Sequence, residues 1–415
     1  MTTRITTVNV IGLGYIGLPT AAILAARGLQ VHGTDVSERT VEAVNAGSVP
    51  FVEPDLAGYV KSAVEAGNLT ASSETVDADA FVVAVPTPFA DGHSPDLSYV
   101  EAATTAIAPR LRPGNLVVLE STSPPGATEQ IGEWIRALRP DLVGTDGILT
   151  VLLAHCPERV LPGRVMVELV TNDRIVGGVT PEAAEVARSL YATFCDGQIH
   201  LTDARTAELA KLVENSFRDV NIAFANELSL IADDLDVDVW ELIALANKHP
   251  RVNILQPGPG VGGHCIAVDP WFIVDAAPER AHLIRTAREV NDAKPGWVIE
   301  KVRERVGSNP SPVIAALGLA FKPDIDDLRE SPARRIAADI ADEFSAARIL
   351  AVEPNIDSLP GDLANRRNIE LADLATASGA DVVVLLVDHR EFKAADLDEL
   401  GIDRAAVVDT RGVWR

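Results

Sequence analysis

Cysteine is scarce in this chain of 415 residues, and the three that occur, Cys156, Cys195 and Cys265, are odd in number and far apart. That argues against a disulfide framework and for a reducing compartment, the cytoplasm. No run of about 18 uncharged apolar residues occurs, so no membrane span is expected. Met1-Thr2-Thr3-Arg4 leads directly into an apolar strand, so no secretory leader is expected either. Positive charge is also short: 36 basic against 60 acidic side chains give a formal net charge of −24. Such a surface repels nucleic acid and anionic lipid, which makes both poor partners. An anionic substrate would need a local basic pocket built against that field. No metal site is read from the sequence. The remaining composition is that of an ordinary soluble chain, long enough for two or three domains.

Glycine is concentrated where chemistry is expected. From Thr7 to Val10 the sequence is β-rich, and Gly12-Leu13-Gly14-Tyr15-Ile16-Gly17 follows, opening a helical pattern from Leu18 to Ala26. In that context Gly-x-Gly-x-x-Gly is a dinucleotide fingerprint: Gly12 makes the turn, Gly14 admits the pyrophosphate and Gly17 lets helix and sheet pack. Tyr15 and Ile16 lie on the same turn. A second strand, 30–34, ends at Asp35, 18 residues beyond Gly17, where a carboxylate accepts from a ribose 2′-OH and repels a 2′-phosphate. NAD is therefore favoured over NADP. Arg39, one helical turn later, is placed either for the adenosine or simply for solvent.

The second glycine-rich stretch is Gly258-Pro259-Gly260-Val261-Gly262-Gly263-His264-Cys265, followed by Asp269 four residues on. Regular structure is excluded there, leaving a loop whose backbone can approach a ligand closely. Backbone N–H donors around Cys265 would lower its thiol pKa and make it a nucleophile. The bland alternative is a small buried hydrophobe in a packed turn.

Between these stretches, apolar strands at 81–85 and 116–120 end in Pro86-Thr87-Pro88 and in Ser121-Thr122-Ser123-Pro124-Pro125-Gly126. Both loops fall at carboxyl ends of strands, the ligand edge of an open parallel sheet, which suggests cofactor contacts by Thr87 and Thr122. A further strand, 149–154, leads to Cys156-Pro157-Glu158-Arg159-Val160. Glu158 and Arg159 emerge on the same edge, with a mutual surface ion pair as the plain alternative, and Cys156 reads as structural. A strand at 174–177 and a helix at 181–194 close this part. From Thr202 to Leu235 the pattern is helical, with neither Gly nor Pro inside. Lys211 and Asn215 share one face of it and could point an ammonium and an amide at an oxyanion. The residues from 279 to 305 read as helical with a break at Pro295-Gly296, and Ser308-Asn309-Pro310-Ser311-Pro312 reads as a linker. Strands at 313–319, 348–352, 382–387 and 406–409 then form a second nucleotide-binding-like unit. Lys322, Arg329 and Arg411 stand at its strand ends, as the local cations an anionic substrate requires.

Taken together these motifs resemble the UDP-glucose/GDP-mannose dehydrogenase family, NAD-dependent enzymes that oxidise C6 of a nucleotide sugar from alcohol to carboxylate. The resemblance implies an α/β fold of two Rossmann-like doubly wound domains joined by a long central helix and a helical middle region. Its expected divisions are an NAD-binding domain (1–199), a helical dimerisation region with the cysteine loop (200–307) and a UDP-sugar-binding domain (308–415). Residues 155–163 and 260–272 are most similar to the branch that acts on UDP-N-acetyl-D-mannosamine; the UDP-glucose branch would have an aromatic in place of Arg159 and a Pro-Lys pair in place of Ala267-Val268. On this resemblance Cys265 attacks the C6 aldehyde, and Lys211 and Asn215 stabilise oxyanions. Asp269 with Lys211, or Glu158 with a Thr122-bound water, activates the hydrolytic water. Glu158, Arg159, Val160, Gly262, His264, Phe321, Lys322 and Arg411 line the substrate, Arg329 contacts the cofactor, and Arg251 reaches the neighbouring subunit's site in a homodimer. The competing readings are the UDP-N-acetylglucosamine enzyme, a two-electron hydroxyacid dehydrogenase that ignores Cys265, and a non-catalytic NAD-binding scaffold.

Overall fold

The computed structural model describes residues 5–161, 163–263 and 266–414. His264 and Cys265 lie outside the described residues. The chain divides into two compact units, Met1–Glu214 with Asp275–Ala277, and Asn215–Val274 with Pro278–Arg415.

Among the described residues the first unit holds an eight-stranded sheet in the order β3-β2-β1-β4-β5-β6-β7-β8. Its strands are β1 (Thr7–Ile11), β2 (Gln30–Thr34), β3 (Leu69–Ser72), β4 (Ala80–Val83), β5 (Leu116–Leu119), β6 (Leu152–His155), β7 (Arg174–Gly178) and β8 (Ile199–Asp203). All neighbours pair in parallel except β6 with β7. Both faces are covered, which is why β4 and β5 read as unbroken apolar runs; β1 is interrupted by buried Asn9. Val8, Val10, Val82 and Val118 pack with Leu18 and Leu24 on one side. Ile11, Phe81, Val117 and Leu119 pack with Val100 and Ile131 on the other. Chain order reverses between β1 and β4, so the ligand crevice of this sheet falls between the loops that follow those two strands.

The long helix Ala204–Asp234 has 31 residues, a length of about 46 Å at the α-helical rise. Asp203 caps its start by accepting the N–H of Thr206 at 2.9 Å and its hydroxyl at 2.7 Å. Asp236, in the left-handed region at φ 54°, turns the chain away at its end, and the Val237 N–H closes on the Ala232 carbonyl at 2.8 Å.

In the second unit, His282–Val306 is one helix. The break expected at Pro295-Gly296 is not there: proline removes one hydrogen bond from the ladder, and burial of Lys294, Pro295 and Val298 holds the helix through it. The sheet of this unit is β11-β10-β9-β12-β13, parallel throughout. Its strands are β9 (Val313–Leu317), β10 (Arg348–Val352), β11 (Ile369–Ala372), β12 (Val382–Leu385) and β13 (Val407–Asp409).

The two sheets repeat one construction. After β1, Gly12 at φ 90° donates to the Thr34 carbonyl at 2.8 Å, and Leu13 N–H meets the Asp35 carboxylate at 2.8 Å. After β9, Gly318 at φ 88° donates to the Val352 carbonyl at 2.8 Å, and Leu319 N–H meets the Glu353 carboxylate at 2.7 Å. They differ one residue later, where Gly14 is exposed and Ala320 is buried.

Candidate active site

The turn after β1 is shaped as a cradle. A Cβ on Gly12 would lie 2.3 Å from the Ala84 carbonyl oxygen, and one on Gly17 would lie 1.9 Å from that of Gly12. Those two glycines are demanded by the protein itself. Gly14 is not: nothing lies within 4 Å of its virtual Cβ, so the space beside it is open to a pyrophosphate approaching the backbone. Asp35 is anchored rather than loose, since its carboxylate takes the N–H of Leu13 and, at 2.8 Å, that of Ser37. The residues present thus fit an NAD dinucleotide. Tyr15 stacks on Phe51 with centroids 4.2 Å apart, Ile16 is half-buried, and Arg39 is exposed.

The loops after β4 and β5 are tied together. Thr87 donates its hydroxyl to the Thr122 carbonyl at 2.6 Å, and Ser121 donates to the Val85 carbonyl at 2.7 Å. The hydroxyl proton of Thr87 is therefore engaged in loop structure, leaving its oxygen as an acceptor. Behind Thr122, the helix Ala127–Leu138 is capped from a distance. Glu208, buried on the long helix, accepts the N–H of Gly126 at 2.6 Å and the N–H and hydroxyl of Thr128.

Glu158 and Arg159 do not pair with each other's side chains. Glu158 is buried and accepts from Arg174 at 3.2 Å and from the Arg159 backbone N–H at 2.7 Å. The Arg159 guanidinium grips Glu214 at 2.6 and 3.1 Å and the Asp173 carbonyl at 3.2 Å. Val160 packs against the apolar core. Burial pushes the Cys156 thiol up to about 12, against the pull of Arg174, so it is a structural cysteine. Arg174 itself is buried beneath the Tyr191 and Phe194 rings, 5.0 and 5.1 Å from their centroids.

Lys211 and Asn215 are half-buried and one turn apart on the long helix. The Asn215 amide donates to the carboxylate of buried Asp269, at the start of the helix Asp269–Ala276. The stretch leading to the cysteine is seated on two helices of the second unit. Asn226 accepts the Gly258 N–H at 2.9 Å and donates to Asn291 at 2.8 Å, and Asn291 donates in turn to Asp219, which is salt-bridged to buried Arg288 at 2.6 Å. Glycine is required by contact at Gly262, where a Cβ would lie 2.4 Å from the Glu330 carbonyl; a Cβ on Gly258 would lie 2.7 Å from the end of the Arg411 guanidinium. Gly263 donates to that same carbonyl at 3.2 Å, with the Phe321 ring 3.5 Å from its virtual Cβ. Phe321, Glu330 and Arg411 thus converge on the loop; Lys322, next to Phe321 in the chain, is half-buried. Arg411 is held by Asp388 at 2.9 Å; Arg329 is exposed and forks onto Asp327, and Arg251 is exposed.

Four residues the sequence reading assigned no role hold the site's parts: Arg174, Glu208, Asn226 and, at the second sheet, His389. None stands in a local motif.

A cradle for NAD on one sheet, and a second sheet of the same build whose ligand edge carries arginine and lysine, define a dehydrogenase that handles two nucleotides. Three domains of one family match the chain in order: the NAD binding domain at residues 6–195, the central domain at 205–293 and the UDP binding domain at 315–415 of the UDP-glucose/GDP-mannose dehydrogenase family. The chain belongs to that family. It is 58% identical over 414 residues, 98% of this chain and 96% of the relative, to an NDP-N-acetyl-D-galactosaminuronic acid dehydrogenase of Ralstonia nicotianae. It is 56% identical over 420 residues, 99% of both chains, to the UDP-N-acetyl-D-mannosamine dehydrogenase of Escherichia coli. Among solved structures, a UDP-D-ManNAc dehydrogenase from Pyrococcus horikoshii is similar with a TM-score of 0.85 at 37% identity, covering 99% of this chain and 96% of that one. The protein is an NAD-dependent nucleotide-sugar dehydrogenase, as the motifs led us to expect. Among the described residues no helix is long and apolar enough to cross a membrane.

Proposed function

We propose that this protein oxidises UDP-N-acetyl-D-mannosamine at C6 to UDP-N-acetyl-D-mannosaminuronate, a precursor for surface polysaccharide. The observation that carries this reading is 56% identity to a UDP-N-acetyl-D-mannosamine dehydrogenase across 99% of both chains. NAD⁺, when bound, supplies the acceptor for the two hydrides that each sugar gives up. The chain's own residues do the rest. Once C6 is an aldehyde, the Cys265 thiolate adds to the carbonyl carbon to give a thiohemiacetal. Loss of the second hydride from that carbon leaves a thioester. Water then adds, the thiolate leaves, and the carboxylate is formed. Lys211 and Asn215 lower the energy of the oxyanion at each carbonyl addition. Asp269, through its bond from Asn215, is supported as the group that orients this water with Lys211; Glu158, bound by Arg174, with a Thr122-held water is the competing base. In this reading Arg159 must exchange part of its hold on Glu214 for the acetamido group.

We infer a homodimer in the cytoplasm, with Arg251 reaching the partner's site. Phe217, Phe224 and Ile231 are 71, 52 and 46% exposed at seven-residue spacing along one face of the long helix, a stripe suited to a twin helix. A free catalytic thiolate and NAD both suit that reducing compartment.

NADH yield per mole of sugar tests the reading, with wild type and Cys265→Ser. Two NADH from UDP-N-acetylmannosamine, lost in the serine variant, is the expected result; one NADH, or indifference to Cys265, would overturn the mechanism. The 58% identity to a galactosaminuronic acid dehydrogenase favours a second reading in which the sugar is the galacto epimer. UDP-N-acetylgalactosamine therefore belongs in the panel, beside UDP-N-acetylglucosamine and UDP-glucose.

A further inference from the structure

The segment Leu319–Asp324 of the second unit is clamped at both ends by one buried group of side chains. At its start, Leu319 and Ala320 donate their N–H groups to Glu353 at 2.7 and 3.1 Å. At its end, the Asp324 N–H donates to His389 Nδ1 at 2.9 Å. Between the clamps stand Phe321, Lys322 and Pro323. The two clamps are joined, because His389 Nε2 lies 3.1 Å from Glu353 Oε2, and Asn355 bridges Glu353 at 2.9 Å and His389 Nδ1 at 3.2 Å. Both His389 and Glu353 are almost wholly buried.

The bonding assigns the tautomer. Nδ1 receives an N–H from Asp324 and therefore carries no proton, so Nε2 is the donor to Glu353. Burial pushes the Glu353 carboxyl up, but the hydrogen bonds from His389 and Leu319 outweigh it and hold the group at about 2, so the acceptor is charged at neutral pH.

The clamp also holds a strained turn. Asp324 and Glu330 lie in the left-handed region at φ 61° and 49°, a conformation that non-glycine residues adopt only where their surroundings hold them in it. Asp324 is kept there by His389 and by Arg390, whose N–H and Nε meet its carboxylate at 3.0 and 3.1 Å. Glu330 is where the Gly263 N–H attaches.

We propose that His389 is a positioning residue for sugar-nucleotide binding, holding through Asp324 the segment that presents Phe321 and Lys322. This rests on the nucleotide-sugar reading of those two residues. Its role is divisible between the two ring nitrogens. Asparagine places an acceptor oxygen where Nδ1 stands and gives up the bond to Glu353. Glutamine places a donor near Nε2 and gives up the bond to Asp324. A residue that merely satisfies buried Glu353 would be replaced better by glutamine; a residue that holds Asp324 would be replaced better by asparagine.

The test is calorimetric titration of the full-length protein with UDP, beside KM for NAD, in wild type, His389→Asn and His389→Gln. Expected are UDP affinity within about threefold of wild type for His389→Asn, affinity weaker by at least about tenfold for His389→Gln, and an unchanged KM for NAD in both. Wild-type affinity in His389→Gln, or equal weakening in the two variants, overturns the proposal. Should neither variant fold, exposed Asp324→Pro, which removes the N–H that His389 accepts and cannot adopt φ 61°, takes their place; the clamp requires at least about threefold weaker UDP binding, and unchanged binding refutes it. Failure of the wild type to bind UDP would instead overturn the nucleotide-sugar reading beneath it.

Discussion

Glu208 is bonded twice to Thr128, accepting its backbone N–H at 2.8 Å and its hydroxyl at 2.6 Å, 80 residues away in the chain. With the Gly126 N–H on its other oxygen, this carboxylate satisfies the start of a helix that has no cap of its own. It also fixes the end of the loop bearing Thr122 to the helix bearing Lys211. Glu208→Gln keeps the shape but turns an amide donor toward an N–H. We expect a loss of about 1–3 kcal/mol in stability by urea denaturation, the cost of an unsatisfied buried donor, together with a lower kcat. A variant as stable as the wild type would mean that the cap is dispensable.

Gly14 and Gly17 separate cofactor binding from folding. A methyl group at Gly14 meets no protein atom within 4 Å, whereas one at Gly17 collides with the Gly12 carbonyl at 1.9 Å. Gly14→Ala is expected to melt within a few degrees of the wild type yet raise KM for NAD by about tenfold or more, because the added group occupies the pyrophosphate's approach. Gly17→Ala is expected to lose stability outright. Equal NAD affinity in wild type and a folded Gly14→Ala would show that the dinucleotide does not cross this turn.

What could be read from the sequence was what is local. The cradle, Asp35 and the helix from 204 to 234 are set by neighbours within a turn or two, and the eye finds them. Glu208, Asn226 and His389 act on partners 82, 32 and 65 residues away, and nothing beside them in the chain marks them. Strands β3, β8 and β11 were missed because each is short and partly exposed, without an apolar run. Pro295 breaks no helix because burial of the residues around it outweighs one lost hydrogen bond. Arg159 was identified as a residue but not by its engagement, since Glu214 is 55 positions on.

Glu120 gives a pH signature. Burial, then the charge of Glu158, push its carboxyl up to about 7, against Arg174 and the hydrogen bonds from Thr20 and Tyr191. A carboxyl raised on folding contributes stability that is whole below the unfolded value near 4.5 and is lost as pH rises through about 7. Glu120→Gln mimics the protonated form and has nothing to lose. Melting temperatures from pH 5 to 8 should therefore fall for the wild type relative to Glu120→Gln, and the variant should be the more stable at pH 8. Parallel profiles would show that Glu120 titrates the same folded and unfolded.

Asn226 tests whether the glycine-rich stretch depends on the helices beneath it. Its amide oxygen holds the Gly258 N–H and its amide nitrogen donates to Asn291, which is in turn fixed to Asp219. Asn226→Ala leaves the Gly258 N–H and the Asn291 oxygen without these partners, at about 1–3 kcal/mol for each buried group. If Cys265 is the nucleophile, the freed loop should slow the thiol-dependent step more than it weakens either nucleotide. We expect kcat to fall by about tenfold or more while KM for NAD stays level, and iodoacetamide to label Cys265 at an altered rate. Asn226→Asp, which keeps the acceptor for Gly258, should recover much of the labelling rate. If both variants label and turn over like the wild type, the loop holds its shape through the Gly263 bond to the Glu330 carbonyl and the packing of Gly260 and Gly262 against Pro332, and the asparagine pair serves only to join the two helices.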